Sequence, residues 1–396
     1  LLIDDIGTRG IEAKLGPLDS HPNLELRLFN PFANRGVRAF DAWDMIRLNR
    51  RMHNKTLIAD NEAVIMGGRN IAAEYFSANP AYNFGDIDIA AIGTVVRDSS
   101  AMFVRYWIDR YSVPYAQLTA GDSPSMSRVE LRDVMRASIA TLAGSPYADL
   151  VSERISRLAD ASGQEYYWAP YRLVYDDPDK ALSDDTPASA KITTSLADVA
   201  NTAQEELLVI TPYFVPRDKG IEWLSGLAAR GVQVDVLTNG LAANDHIFVY
   251  GGYAPARKPL LEEGVRFFEL RGNLELEGTA EAGADEADSK LHGKAFVVDR
   301  RYLFIGSFNW DPRSANLNTE MGVVIHSEEL AGLITNGVYS ALDTRAYTVF
   351  LDDAGKLRWR TNIDGQERVY DKEPESSWWK RFKANLTRLL PIRGQL

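Results

Sequence analysis

The 396-residue sequence predicts an α/β protein built from two matching halves. Three observations carry that reading: an internal repeat, apolar strand-like runs on either side of short turns, and a βαβ pattern upstream of the second copy. Repeats are weighed first because they decide architecture. His53-Asn54-Lys55 is followed by Asp60 and then Gly67-Gly68-Arg69-Asn70. His292-Gly293-Lys294 is followed by Asp299 and then Gly306-Ser307-Phe308-Asn309. Counted from each His, the Lys stands at +2, the Asp at +7, the first Gly at +14 and the Asn at +17 in both copies.

The residues between these positions agree as well. Thr56-Leu57-Ile58-Ala59 and Ala295-Phe296-Val297-Val298 read as strands, and Val64-Ile65-Met66 and Leu303-Phe304-Ile305 as short buried strands. Asp60 and Asp299 fall in the turns between them, where Asp stabilises local backbone, so a structural role is expected for both. Alternate side chains on a strand share a face, so each His and its Lys point into one site.

Upstream of the second copy, residues 207–210 read as a strand, 220–230 as a helix with Ile221, Leu224 and Leu227 on one face, and 232–237 as the next strand. The first copy has only the tail of this unit, since residues 1–5 correspond roughly to 232–238. That shortfall, and the lack of an initiator Met, lead us to expect further chain before Leu1. Residues 128–142 read as a helix, 176–189 as a polar linker, and 275–289 as a loop excursion at the rim of the site. The expected division is 1–175 for the first half, 176–204 for a linker region, 205–350 for the second half and 351–396 for a C-terminal extension.

Composition narrows the function classes. The net charge is −11 and the pI about 5.1. Nucleic-acid binders usually carry a basic domain, so the acidic balance argues against DNA or RNA as the main partner. There is no cysteine, which excludes disulfides, thiolate metal sites and a cysteine nucleophile. No apolar run is long enough to span a bilayer.

A neutral imidazole is a good nucleophile toward phosphorus, and an imidazolium is a good acid near neutral pH. A Lys ammonium holds a phosphate oxygen and offsets charge in the transition state. One His-x-Lys motif cannot supply both nucleophile and acid; two can, which explains the duplication. Asn70 and Asn309 are expected to donate amide hydrogen bonds to phosphoryl oxygens. Each His also needs a carboxylate to fix its tautomer. Glu320 is expected to complete the second half and Asp86 the first, with Asp88 as the fallback. His21, His246 and His326 have no repeat partner and read as structural, although His246, near Tyr250 and Tyr253, is also a candidate for the donor pocket. Tyr213 is a second candidate for substrate contact. No metal-binding motif or phosphate-binding loop is present, so neither metal nor cofactor is expected.

The paired His-x-Lys-x4-Asp motifs with trailing Gly-x-x-Asn resemble the phospholipase D superfamily. The strings Asn49-Arg50-Arg51-Met52-His53-Asn54-Lys55, Gly306-Ser307-Phe308-Asn309-Trp310-Asp311-Pro312-Arg313-Ser314 and Asn316-Leu317-Asn318-Thr319-Glu320 are similar to bacterial cardiolipin synthases of the C-type branch. That resemblance implies a duplicated phospholipase D fold: two mixed β-sheets flanked by helices, with the active site at the interface of the halves. It also implies a phosphohistidine intermediate, with His53 as nucleophile and His292 as acid and base. The family often uses the residue at +15 near the phosphate. Here that residue is Ser307 in one half and Gly68 in the other, so the half-sites are not equivalent. The expected activity is phosphatidyl transfer to phosphatidylglycerol, with hydrolysis of phospholipids or other phosphodiesters as the alternative. Phosphatidylethanolamine is a candidate donor, and the sequence identifies no accessory protein.

The C-terminal stretch from Ser377 to Arg393 mixes Trp, Phe, Leu, Lys and Arg without any acid. Trp with Lys or Arg favours the headgroup region of anionic membranes, whereas a final helix packed on the core has the same composition. Together with the lipid substrates, this points to a peripheral enzyme on the bacterial inner membrane, on the cytoplasmic side.

Overall fold

The computed structural model describes residues 1–76, 82–120, 125–143, 148, 151–152, 166–181, 187, 191–244, 246–272 and 288–387. The expected loop at 275–289 lies outside these except for its last two residues, as does most of the linker at 182–190 and the chain end from 388 to 396.

The second half is organised by one ten-stranded mixed sheet. At its centre, β9 (Glu206–Ile210), β10 (Gln233–Asn239) and β11 (Arg266–Leu270) run parallel. Every residue of β9 is buried, and its apolar run Leu207–Ile210 is covered on both faces. On one side follow the antiparallel strands β13 (Ala295–Val298), β14 (Tyr302–Gly306) and β15 (Met321–His326), then β8 (Tyr171–Tyr175). On the other side lie β16 (Ala346–Leu351), β17 (Leu357–Ile363) and β18 (Gln366–Tyr370). The helices Arg217–Ala229 and Ile247–Glu262 cover one face around Leu224, Tyr253 and Leu260, and the helix Glu328–Arg345 covers the other around Ala331 and Leu342.

In the first half, β1 (Leu2–Asp4), β2 (Arg27–Phe29) and β7 (Ser112–Pro114) form one small sheet. A second contains β3 (Thr56–Ala59), β4 (Ala63–Gly67) and β6 (Asp88–Ile92). The helix Thr94–Trp107 packs on it, with Val96, Met102 and Tyr106 in a core shared with Met321 and Val323 of β15. The expected helix at 128–142 is present as Arg128–Ala143.

The repeat is exact in register. Thr56 faces Met66 in β3–β4, and Ala295 faces Ile305 in β13–β14, which are +3 against +13 from each His. Asp60 and Asn61 both have positive φ (54° and 55°), as do Asp299 and Arg300 (50° and 52°). Two consecutive left-handed residues are what a tight hairpin turn of the primed type requires, and Asp and Asn tolerate that region best among residues with a side chain. The Asp299 carboxylate also accepts from the backbone N–H groups of Gln204, Glu205 and Glu206, tying the turn to the start of β9. The +14 glycines are required by close approach: a Cβ on Gly67 would lie 2.6 Å from Ile87 O, and one on Gly306 2.3 Å from Met321 O.

Candidate active site

The two His-x-Lys motifs enter the site from opposite halves and are locked there by backbone hydrogen bonds across the interface. His53 N–H donates to Thr319 O (2.9 Å), and Thr319 N–H donates to Arg51 O (2.9 Å). Reciprocally, β5 (Tyr82–Gly85) of the first half pairs in parallel with β12 (Asp288–Leu291) of the second. Gly85 O then accepts from the N–H groups of His292 (2.8 Å) and Gly293 (3.0 Å). Each histidine is therefore strand-paired to the residue just before the other half's carboxylate.

This pairing corrects the expected carboxylate assignment. The alignment of Asp86 with Glu320 is right: β4 pairs Gly67 with Asp88 while β14 pairs Gly306 with Gly322, so the two acids occupy equivalent positions. Their partners are exchanged. His53 Nδ1 lies 2.8 Å from Glu320 Oε2, and His292 Nδ1 lies 2.6 Å from Asp86 Oδ2. The crossing follows from the interface strands, which present each acid to the opposite half. Asp88, the fallback, binds Arg69 instead.

In both cases an Nδ1–H donated to a carboxylate puts the ring's lone pair on Nε2. Lys55 Nζ donates to His53 O (2.6 Å). Lys294 Nζ donates to His292 O and lies 2.9 and 3.1 Å from the two ring nitrogens. Burial, then the cations Lys55 and Lys294, hold His53 well below the usual imidazole range. Burial and Lys294 bring His292 down to about 3, against the pull of Asp86. Both rings are thus neutral before substrate arrives. Burial brings Lys55 down to about 7, opposed by the Glu320 charge. Burial raises Asp86, but the His292 hydrogen bond and Lys294 outweigh it and hold the carboxyl low. In Glu320 burial prevails and the carboxyl is raised.

The mismatch between Gly68 and Ser307 has a steric origin. The Ser307 hydroxyl donates to Glu320 Oε2 and accepts from Met321 N–H (3.0 Å), so it is spent on the carboxylate. At Gly68 the corresponding space is filled by Asp86, whose Oδ1 would lie 2.3 Å from any Cβ. The shorter acid swings into the room that Ser307 occupies in the other half.

Asn70 is placed on an unexpected partner: its Nδ2 donates to the Tyr75 hydroxyl (2.8 Å), which lies 3.4 Å from His292 Nε2. Asn309 is buried beside Ser314, and its side-chain oxygen has no hydrogen-bond partner among the described residues. Tyr213 and His246 pack edge to face, with ring centroids 5.6 Å apart, beyond the ends of β9 and β10. His326 stacks on Tyr302, and His21 accepts a local backbone N–H.

Three positioning groups escaped the sequence reading. The Asn239 amide exchanges two hydrogen bonds (both 2.9 Å) with the backbone of Leu291, holding the residue before His292 as a further strand would. Asp176 and Lys180, at the start of the expected linker, form a fully buried ion pair of 2.7 Å. Asp176 Oδ2 also accepts from Glu320 N–H (2.8 Å), so the pair fixes the backbone of the residue whose carboxylate meets His53 Nδ1. Tyr75 is the third. A stronger signal existed for Asn239 (Thr238-Asn239-Gly240 closes a buried strand) than for the other two.

Among the described residues, no group of three His, Cys, Asp or Glu side chains could hold a metal ion. No helix among them is long and apolar enough to cross a membrane.

A duplicated α/β fold whose two His-x-Lys motifs face each other across the seam of the halves defines the phospholipase D superfamily. Residues 196–338 match the family described as cardiolipin synthase, PLD-like domain. Cardiolipin synthase C of Escherichia coli (strain K12) is 38% identical over 406 residues, covering 100% of this chain and 84% of that protein. A cardiolipin synthase of Staphylococcus aureus (strain Mu50 / ATCC 700699) is 21% identical, covering 98% of this chain and 61% of that protein. The phosphatidylserine synthase of Haemophilus influenzae Rd KW20 has a TM-score of 0.55 at 16% identity, covering 88% of this chain and 74% of that one, a likeness of fold. The chain belongs to the cardiolipin synthase family of phospholipase D-like enzymes.

Proposed function

We propose that this chain is a cardiolipin synthase that moves a phosphatidyl group from a donor phospholipid, through a phosphohistidine on His53, to the hydroxyl of phosphatidylglycerol. The observation that carries the reading is the pair of neutral imidazoles, each with Nδ1 held by a carboxylate so that the lone pair lies on Nε2. His53 Nε2 attacks phosphorus, and the bond to the donor's leaving alcohol breaks as His292 gives that alcohol a proton. The acceptor hydroxyl then attacks phosphorus, its proton passes to His292 Nε2, and the P–N bond to His53 breaks. His292 so recovers the proton that it spent. The anionic phosphodiester, lying against Lys55 and Lys294, offsets the two cations that depress His292 and lets it hold a proton.

Incubation with phosphatidylglycerol, with and without phosphatidylethanolamine, followed by lipid mass analysis, tests the reading. Cardiolipin supports it. Phosphatidic acid as the sole product would support the hydrolytic alternative.

Membrane approach is assigned to the helix Trp378–Thr387. It buries Ala384 and Thr387 against the helix Ile247–Glu262 and exposes Trp378, Trp379, Phe382 and Leu386 beside Lys380, Arg381 and Lys383. The packed face is compatible with this role, because the exposed aromatic and basic residues lie on the rest of the same helix. Lys380 Nζ donates to Ala242 O, three residues beyond the end of β10, which places the helix at the catalytic edge of the sheet. We place the enzyme peripherally on the cytoplasmic side of the bacterial inner membrane. Replacing Trp378, Trp379 and Phe382 together by Ala is expected to weaken binding to anionic vesicles roughly a hundredfold, since each half-buried ring contributes about 1 kcal/mol. Cosedimentation at unchanged thermal stability is the measurement, and equal binding would refute this role.

Lys55 provides a pH test. Its folded pKa of about 7 lies below the ordinary lysine value, so the unfolded chain binds more protons between these two pH values. The cost of burying the charge is full below pH 7 and is relieved as pH rises toward the unfolded pKa. Lys55→Met is expected to abolish turnover yet raise the melting temperature at neutral pH, and the gain should shrink at pH 10. A melting temperature that falls at pH 7 would contradict this account.

A further inference from the structure

Around His292, but not around His53, the first half builds an aromatic wall. The Tyr75 ring meets the His292 ring edge-on with centroids 4.9 Å apart, and Phe84 lies 5.2 Å from it. Tyr82 packs against Phe84 at 5.6 Å. The Lys290 ammonium stands over the Tyr82 ring at 4.1 Å. Among the described residues no ring contact of this kind touches His53, whose side chain is 25% exposed against 7% for His292.

These contacts lie along one face of the two-stranded β5–β12 pair. Tyr82 and Phe84 are two residues apart on β5, and Lys290 sits beside Phe84 on β12, two residues before His292. The line therefore runs from an imidazole, across two rings, to a cation. The ammonium stands over Tyr82, which pairs with Asp288 four residues before His292; that strand distance of roughly 13 Å is one that a hydroxyl at the imidazole, a three-carbon bridge and a phosphate against the ammonium span together. At the imidazole end, Nε2 already faces one hydroxyl, that of Tyr75, which Asn70 supports from behind.

We propose that Tyr75, Phe84, Tyr82 and Lys290 form the acceptor subsite, where Lys290 binds the phosphate of an anionic lipid alcohol whose hydroxyl replaces that of Tyr75 at His292. This deepens the transfer reading above and rests on it. The chemistry is complementary at both ends. The ring wall takes a glycerol carbon chain and displaces water from the acid–base group, as needed if an alcohol is to outcompete a far more concentrated solvent. The ammonium, backed by the Tyr82 π-face, gives a phosphodiester a partly desolvated counter-charge. An acceptor without a phosphate gains nothing from it. The Tyr75 hydroxyl holds the place of the acceptor hydroxyl until that lipid arrives.

The test compares phosphatidylglycerol with glycerol as acceptors for the full chain and its Lys290→Ala, Lys290→Arg and Phe84→Leu variants. Loss of a charge-assisted hydrogen bond should raise KM for phosphatidylglycerol roughly tenfold in Lys290→Ala, leave glycerol unaffected, and be largely restored in Lys290→Arg. Phe84→Leu should raise the share of phosphatidic acid among the products. Direct binding of short-chain phosphatidylglycerol to the inactive His53→Ala protein should show the same dependence on Lys290. If both acceptors respond equally to Lys290→Ala, or neither does, the subsite is wrong. If binding depends on Lys290 but the wild-type chain makes only phosphatidic acid, the subsite stands and the transfer reading fails.

Discussion

Replacing His53 by alanine is expected to abolish formation of any covalent phosphatidyl-enzyme, while replacing His292 by alanine blocks turnover yet spares that intermediate under one condition. The condition is a donor whose leaving group needs no proton, such as phosphatidyl-p-nitrophenol. With a natural donor, loss of either histidine should reduce the rate by roughly 10⁴-fold or more, because the nucleophile and the acid each act in the rate-determining bond changes. With the activated donor and a radioactive phosphorus label, His292→Ala should still accumulate acid-labile label on the protein, and His53→Ala should not. The geometry motivates the assignment: the more exposed ring is His53, and the ring walled by aromatics is His292. Label retained in His53→Ala would reverse the roles.

The second large effect concerns the carboxylates, and it discriminates between crossed and uncrossed pairing. Glu320→Gln keeps the shape of the side chain but can present an amide N–H to His53 Nδ1, favouring the wrong tautomer. Asp86→Asn does the same to His292. Such a change at a triad-like histidine typically costs about 10²- to 10⁴-fold. Glu320→Gln should therefore fail to form the labelled intermediate with either donor. Asp86→Asn should fail with the natural donor and recover with the activated one. Were each acid to serve the histidine of its own half, the two outcomes would be exchanged. Ser307→Ala, which removes the hydroxyl that holds Glu320 Oε2, provides a milder version of the Glu320 phenotype.

Much of this was legible in the sequence, for a definite physical reason. A strand period of two and a turn that demands left-handed residues leave marks at fixed offsets, so His53, Lys55, Asp60, Gly67 and their counterparts could be read together. The equivalence of Asp86 and Glu320 was also readable, because both precede an apolar strand. Their partners were not, since pairing across an interface depends on β5–β12 and on the Met52–Thr319 bridge, neither of which leaves a periodic signal. Asp176 and Lys180 looked like solvated linker residues for a related reason. Charged residues in a polar stretch are usually exposed, and only the tertiary fold shows that this pair is buried under Glu320. Tyr75 ends a single helical turn, Ala73–Tyr75, with no repeat partner, and nothing local marks it as a neighbour of His292.

The crossed carboxylates also set a rule for inheritance. A duplicated gene invites recombination at its midpoint, and halves taken from two homologues would meet at this seam. Such a hybrid would join the histidine of one parent to the acid of the other at both centres, Glu320 with a foreign His53 and Asp86 with a foreign His292. Ser307 and Gly68 fit a longer and a shorter acid respectively. Each of these travels with the acid it fits, so a midpoint crossover mismatches only each acid and the histidine opposite it, at both centres at once. The functional unit of descent is thus not the half but a pair of interlaced sets, each with one member on either side of the seam. Exchanges that preserve activity are those that move residues 49–55 together with 307–320, or 84–86 together with 290–294.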